Sequence, residues 1–364
     1  MRARAPIGEL AVSAFRVPTD APESDGTLAW DHTTLVRVEV TAGGVRGWGW
    51  TYADGATARL VDETLRPHVI GRDALDVGAS WTAMAVAVRN LGRRGVAAMA
   101  MSAVDCALWD LKARLLDVAL VDLFGACREA VPIYGSGGFC SYDDARLAAQ
   151  LGGWAERGLA AVKMKVGREP ARDPERVRRA RAAIGDAQLF VDANGAYDRK
   201  QALRLGRRFI DDADVRWFEE PVSSDDLDGL ARLATELPLH VAAGEYGYDA
   251  GYFRRMLAAG AVDVLQADAT RCGGYTGFLQ ASALCEAFGV PLSAHCAPAL
   301  HVAVGCAARP LVHLEYFHDH VRIEELLMDG VVRPRDGSGT LRPDRSRPGH
   351  GLTWKAADAE RYRL

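Results

Sequence analysis

Residues 161–221 read AVKMKVGREPARDPERVRRARAAIGDAQLFVDANGAYDRKQALRLGRRFIDDADVRWFEEP. Three short apolar runs stand out: AVKMKV from Ala161, QLFVD from Gln188 and VRWFE from Val215. Between them lie DPERVRRARAAIG and RKQALRLGRRFID, whose apolar positions recur at helical spacing. Strands that alternate with amphipathic helices are the signature of a parallel sheet. The same alternation continues outward. VPIYGS from Val131 precedes this stretch, and HVAAG from His240, DVLQA from Asp263, PLSAH from Pro291 and LVHLE from Leu311 follow it. YTGFLQASALCEAFG supplies a further helix. Eight βα repeats predict an α/β fold with a closed (β/α)8, TIM-like barrel over residues 128–320. An open doubly wound sheet is the alternative.

Residues 1–127 read as an α+β capping domain. TTLVRVEVTA and VRGWGWTY alternate apolar and polar residues around AGG, which predicts a hairpin. Before them, VPTDAPESDGTLAWD is rich in Pro, Asp and Gly and reads as a long mobile loop. In MAMSAVDCALWDLKARLL, Val104, Leu108, Leu111 and Leu115 fall on one face of a helix. Residues 321–364, with DGSGTLRPDRSRPGHG, are polar and are expected to return to the capping domain and complete it.

The 364 residues are enough for a barrel plus a smaller domain, and 49% hydrophobic with 25% charged residues is ordinary for a globular protein. A net charge of −4 gives no reason to expect nucleic acid or an anionic membrane as partner. Seven scattered cysteines without a CxxC pair fit a reducing cytoplasm and argue against a disulfide framework. No signal-peptide core or membrane-length apolar run is seen, so a cytoplasmic location is expected.

The strand ends carry the chemistry, because active sites of such barrels lie where strands meet their following loops. Lys163 and Lys165 share a face of the second run, and Asp192 and Asn194 share one at the third. The fourth run ends in Glu219, the fifth leads to Glu245, the sixth to Asp268, the seventh to His295 and the eighth to Glu315. Three carboxylates, Asp192, Glu219 and Glu245, converging at one mouth would repel one another unless a hard divalent cation sat among them. Taken singly, each is equally readable as a helix cap or ion-pair partner. Lys163 beside Lys165 is expected to depress its neighbour's pKa, leaving an amine that can act as a base. Asp268 is placed to orient His295 as a second acid/base group. Glu315, if protonated, can donate a hydrogen bond to a developing oxyanion.

KMK, VDANGAY, WFEEP, AAGE, DATRCGGYTG, SAH and HLE, in this order, resemble the motif series of the mandelate racemase subgroup of the enolase superfamily. The resemblance covers roughly residues 130–320, and the helical block ending in DLFG is similar to the family's capping domain. It implies one Mg2+ held by Asp192, Glu219 and Glu245, with Asn194 near the metal or substrate. It implies Lys165 as one acid/base catalyst, with Lys163 tuning it and touching the substrate carboxylate. The His295–Asp268 dyad becomes the opposite catalyst, and Glu315 the hydrogen-bond donor to the enolate. Glu220, the second acid of WFEEP, would face away from the metal. The substrate would be a small carboxylate, and the family's habit implies a homo-oligomer, dimer or octamer.

Abstraction of the proton α to a carboxylate is the common step. Dehydration of an acid sugar is the first reading; racemisation or epimerisation of a 2-hydroxy acid and lactone cycloisomerisation are alternatives. A Schiff-base aldolase and a non-catalytic carboxylate-binding barrel are rivals from other classes. Specificity is expected from residues 18–31 and 52–56, with Trp30, His32, Tyr52, Tyr246, Arg271 and His318 as candidate contacts. YFHDHVR, holding His318 and His320, reads as a solvated loop, with a second metal site as the alternative.

Overall fold

The computed structural model describes residues 4–335 and 337–364. The chain opens with an antiparallel sheet, β1 (Ile7–Ser24), β2 (Ala29–Ala42) and β3 (Val45–Tyr52), in that order. The hairpin expected around AGG is β2–β3, and Gly43 and Gly44 both take positive φ, as a tight two-residue hairpin turn demands. Four helices follow: α1 (Ala56–Leu60), α2 (Val77–Ala87), α3 (Val96–Leu115) and α4 (Leu120–Phe124). The alternation in GWGW decides how β3 packs. Gly47 and Gly49 face α3, where a Cβ would come within 2.2 Å of Leu111 N and 2.5 Å of Ala107 N. Val104, Leu108 and Leu111 are fully buried at this contact. Trp48 and Trp50 belong to the opposite face and meet the C-terminal tail.

The stretch read as a mobile loop is instead the end of a β-ribbon. Residues 17–24 finish β1 and residues 29–31 begin β2, with a turn between them. Asp25 Oδ1 accepts from the amides of Thr27 (2.6 Å) and Leu28 (2.7 Å), and so closes that turn. Pro18 and Pro22 are tolerated because β1 is an edge strand and its ladder is interrupted between Pro18 and Glu23. Proline content signalled the interruption correctly; it did not reveal the pairing on either side.

All eight apolar runs are parallel strands of one sheet: β4 (Val131–Gly137), β5 (Ala161–Lys165), β6 (Gln188–Asp192), β7 (Val215–Glu219), β8 (His240–Ala243), β9 (Val264–Ala267), β10 (Leu292–Ala294) and β11 (Leu311–Phe317). Seven helices connect them: α5 (Asp144–Glu156), α6 (Asp173–Ala183), α7 (Arg199–Ala213), α8 (Leu227–Glu236), α9 (Ala250–Ala258), α10 (Gly274–Phe288) and α11 (Pro298–Ala307). Asp143, Asp198, Asp226 and Asp249 cap α5, α7, α8 and α9 by accepting an amide from the first turn. β11 pairs with β4, with Glu315 opposite Tyr134, so the sheet is a closed barrel and not an open one. An eighth helix, α12 (His318–Leu327), runs across the boundary that the sequence suggested at residue 320.

Inward-facing residues fill the barrel in layers. Tyr134, Ala161, Phe190, Trp217, Ala242 and Val264 plug its lower end, with Phe190 and Trp217 stacked at 5.2 Å. The tail adds β12 (Met328–Asp329), β13 (Thr340–Leu341), β14 (Thr353–Trp354) and α13 (Ala356–Glu360). β13 extends the barrel sheet beside β4. His350 and Trp354 pack on Trp48, and Arg16 N–H and Leu364 N–H bond across to Tyr362 O and Ala14 O. The tail thus touches both the barrel and the capping sheet. Among the described residues, no helix is long and apolar enough to cross a membrane.

Candidate active site

Strand register puts the ionisable residues at one level. Lys165 is the ladder partner of Asp192, and Asp192 that of Glu219. Glu245 reaches the same level from the turn after β8, where Gly244 takes φ 137° and a Cβ would stand 2.1 Å from Gln266 O. Asp192, Glu219 and Glu245 are all buried, and one oxygen from each lies within 4.8 Å of the other two. Glu219 Oε1 is buried without a hydrogen-bond partner. Burial and the neighbouring Asp192 push the Glu219 carboxyl up to about 8. Three hard oxygen donors, with Glu219 Oε1 and Glu245 Oε2 both lacking a hydrogen-bond partner, fit a divalent cation such as Mg2+. Glu220 lies outside this group. It takes φ 37° and lines a separate cavity of about 380 Å³ with Ser223, Tyr248 and Tyr252.

The two lysines differ in depth. Lys165 lines a cavity of about 390 Å³ at the barrel mouth and donates to Asp192 Oδ2. Lys163 is sealed beneath it, 2.6 Å from Glu219, 2.9 Å from Glu315 and 3.5 Å from Asp192. It is absent from the cavity wall, so in this structure its reach is to the three carboxylates and not to the cavity. The expected depression of the Lys165 pKa is also reversed in this structure. Burial and Lys163 oppose its charge, but Asp192, Glu245 and Glu219 outweigh them and hold it above the ordinary lysine range.

Across the cavity, His295 Nδ1 lies 2.9 Å from Asp268 Oδ2, as the dyad requires. Its Nε2 faces Glu245 Oε2 at 3.3 Å and Glu315 Oε2 at 3.7 Å. Burial disfavours the imidazolium, yet Cys296, Glu245, Glu315 and Asp268 hold His295 well above its usual range. β4 and β11 separate Lys165 from His295 on one side, and β6 to β9 on the other. Glu315 accepts from Ser136 Oγ at 2.5 Å and from the Cys296 amide at 3.1 Å. Despite burial, Lys163 and His295 keep it well below the usual carboxylate range. The two adjacent cations thus favour its anion, against the hydrogen-bond donor role expected of a protonated Glu315.

Of the candidate specificity residues, Trp30, His32, Tyr52, Tyr246 and Arg271 line the cavity with Asn194, whereas His318 does not. Trp30 turns its indole N–H to Glu23 Oε2 (2.8 Å), and Tyr52 turns its hydroxyl to Glu324 (3.5 Å). Arg271 Nη1 donates to Glu245 Oε1 at 3.1 Å. The ribbon tip closes down on this mouth: a Cβ on Gly26 would meet Ala193 O at 2.5 Å and Val166 O at 2.7 Å.

The sequence reading missed His320. The favoured solvated loop is the first turn of α12, and His320 is buried in the cavity wall. It stacks on Tyr52 at 3.5 Å, and its Nδ1 accepts the Ala297 amide at 3.2 Å. Burial pushes it down to about 3, so it is neutral with its proton on Nε2. Its place five residues past Glu315 was the available signal, but only the helix start at His318 turns it inward. Cys296 was also missed. Its thiol lies 3.3 Å from His295 Nε2, and its φ of 51° adds to the strained backbone at the mouth.

Residues 11–125 match the mandelate racemase / muconate lactonizing enzyme N-terminal domain, and residues 144–359 match the enolase C-terminal domain-like family. The chain belongs to the mandelate racemase/muconate lactonizing enzyme family of the enolase superfamily. Within this family it is 33% identical over 95% of its length to 3,6-anhydro-alpha-L-galactonate cycloisomerase of Streptomyces coelicolor, covering 96% of that protein. It is 32% identical over 85% of its length to L-talarate/galactarate dehydratase of Salmonella typhimurium, covering 80% of it. A structure of that dehydratase liganded with Mg and L-lyxarohydroxamate superposes with a TM-score of 0.90, at 28% identity over 100% of this chain and 95% of that one. A mandelate racemase/muconate lactonizing enzyme-like protein from Rubrobacter xylanophilus superposes with a TM-score of 0.96, at 52% identity over 99% of this chain and 100% of that one. The relatives are thus acid-sugar dehydratases and cycloisomerases, and magnesium is bound in their structures.

Proposed function

We propose that this chain is a Mg2+-dependent enzyme that removes the proton α to the carboxylate of an acid sugar and completes a dehydration. One observation carries the reading. Asp192, Glu219 and Glu245 converge within 4.8 Å, and Lys165 and His295 flank the cavity above them from opposing walls.

Asp192, Glu219 and Glu245 would hold the cation, which supplies positive charge against the negative charge that develops on the substrate carboxylate. With Asp192 engaged as a ligand, Lys165 would lose the partner that holds its charge and release its proton to solvent; the neutral amine then takes the α-proton, and the C–H electron pair moves into the carboxylate. Lys163 keeps Glu219 and Glu315 in place from below and tunes Lys165 by its charge. His295, oriented by Asp268, gives its proton to the β-hydroxyl, which leaves as water. The enol left behind becomes a 2-keto-3-deoxy acid. Each proton transfer is worth roughly a hundred- to ten-thousand-fold. His320 Nε2–H, Asn194 and Arg271 are placed to bind the rest of the sugar. Lactone cycloisomerisation is the second reading, supported by the 33% identical cycloisomerase.

Incubating a panel of acid sugars and their lactones with Mg2+ in heavy water tests both. A substrate that exchanges its α-proton, with exchange abolished by a chelator, is the expected result. In ordinary water, a product lighter by one water marks dehydration, and one of unchanged mass marks isomerisation. Turnover with undiminished rate in chelator, or trapping of a Schiff base by borohydride, would refute the reading.

A further inference from the structure

A second group of ligand atoms lies outside the barrel, where the β1–β2 ribbon meets the start of α12. Asp20, Glu23 and His318 each bring a donor atom within 4.8 Å of the other two. His318 Nε2 stands 3.0 Å from Asp20 Oδ2. Glu23 is only 1% exposed, and its Oε1 is buried with no hydrogen-bond partner. Its Oε2 is already used by Trp30.

The charges around this group do not balance it. Arg146 reaches Asp20 Oδ1 at 3.3 Å. Arg322 is spent on Asp319 at 2.6 Å and on Pro18 O. Asp319, fully buried, also accepts from Thr33 Oγ1. Burial and the charges of Asp319 and Asp20 push the Glu23 carboxyl up to about 8. A buried carboxylate oxygen without a partner, on a residue grouped with a second carboxylate and an imidazole, is a place where a cation or a proton settles.

We propose that Asp20, Glu23 and His318 form a second divalent-cation site, for zinc or another first-row transition ion, that fastens the ribbon to α12. One imidazole and two carboxylates suit such ions, whereas magnesium favours an all-oxygen set. Asp20 lies within the interruption of the β1–β2 ladder, and Glu23 stands at its far end, where pairing resumes opposite Trp30. His318 follows directly on β11, the strand that bears Glu315. An ion bridging them replaces the missing ladder with coordination bonds. Because Glu23 holds the Trp30 indole, the ion also fixes one wall of the cavity. The site is separate from the barrel carboxylates and does not depend on the reaction proposed for them.

Equilibrium dialysis of the full chain against zinc, with magnesium in excess, tests this. The wild type is expected to retain one zinc. Glu23→Gln and His318→Ala are each expected to weaken zinc binding at least about ten-fold. Asp192→Asn should keep the zinc, because it alters only the barrel group. Zinc should slow amide exchange across residues 18–32 in the wild type and not in His318→Ala. Failure of the wild type to retain zinc overturns the proposal in favour of a shared proton. Retention unaltered in both variants, or protection confined to another segment, places the ion elsewhere and overturns it equally.

Discussion

The barrel mouth and the seam between tail and capping sheet each bury a histidine beside an aspartate, with opposite results. At the mouth, His295 faces Asp268, Glu245 and Glu315, which hold it well above its usual range. At the seam, His350 lies 3.5 Å from Asp110, and burial pushes it down to about 4. Burial opposes charge in both places, so the difference lies in the neighbours. Asp110 is satisfied by the amides of Trp48 (3.0 Å) and His350 (2.9 Å) and by Arg114 (2.7 Å). His350 uses both ring nitrogens in neutral form, Nε2 towards Trp48 O and Nδ1 accepting from Leu352. The mouth gathers Asp192, Glu219, Glu245, Asp268 and Glu315 against Lys163, Lys165, Arg271 and His295. A closed, satisfied network stabilises a fold. A network with excess carboxylate and an orphaned oxygen is built to receive something.

The contrast fails first if the mouth proves merely structural. Lys165→Ala and His295→Asn are expected to lower turnover by roughly a hundred- to ten-thousand-fold while circular dichroism reports an intact fold. Near-normal turnover in either variant would remove its assigned role. The seam should answer in the other currency. Asp110→Ala strands two amides and Arg114, and a loss of about 3–5 kcal/mol in denaturant stability is expected, with Mg2+ affinity unchanged. A stability close to wild type would mean that the seam network contributes nothing.

Glu219→Gln sharpens the comparison within the mouth. It should weaken Mg2+ binding at least about ten-fold by titration calorimetry, while Glu220→Gln should leave affinity near the wild-type value. The reverse pattern would move the ligand role to Glu220. The smallest effect concerns pH. The folded pKa of His350, about 4, lies below its unfolded value of about 6.5, so its contribution is complete above the unfolded value and fades as pH falls towards the folded one. Roughly 1 kcal/mol should be lost between about pH 7 and about pH 5.5, and His350→Gln should flatten that slope. An unchanged slope in the variant would assign it to another group.

The barrel was legible because its signal is local. Each strand announces itself by a short apolar run, and each candidate residue stands at a run's end, as VDANG and WFEEP show. The ribbon was misread because proline and glycine content reports local backbone restraint and not long-range pairing. Its placement depends on Gly26 seated against the loops after β5 and β6, a contact between residues far apart in sequence. His320 was invisible for a similar reason. Its burial follows from the helix that begins at His318 and from Tyr52, which arrives from the other domain.

The sequence alone determined the βα order, the inward alternation along each strand, the identity of every ionisable residue at the strand ends and the family they spell. Only the tertiary structure decided that three carboxylates share one space, that Lys163 lies sealed beneath Lys165, and that Glu315 sits between two cations. The reason is physical. Periodicity along a strand fixes which way a side chain points, because it is set by the backbone of that strand. The distances and charges between side chains on different strands exist only once the ring has closed.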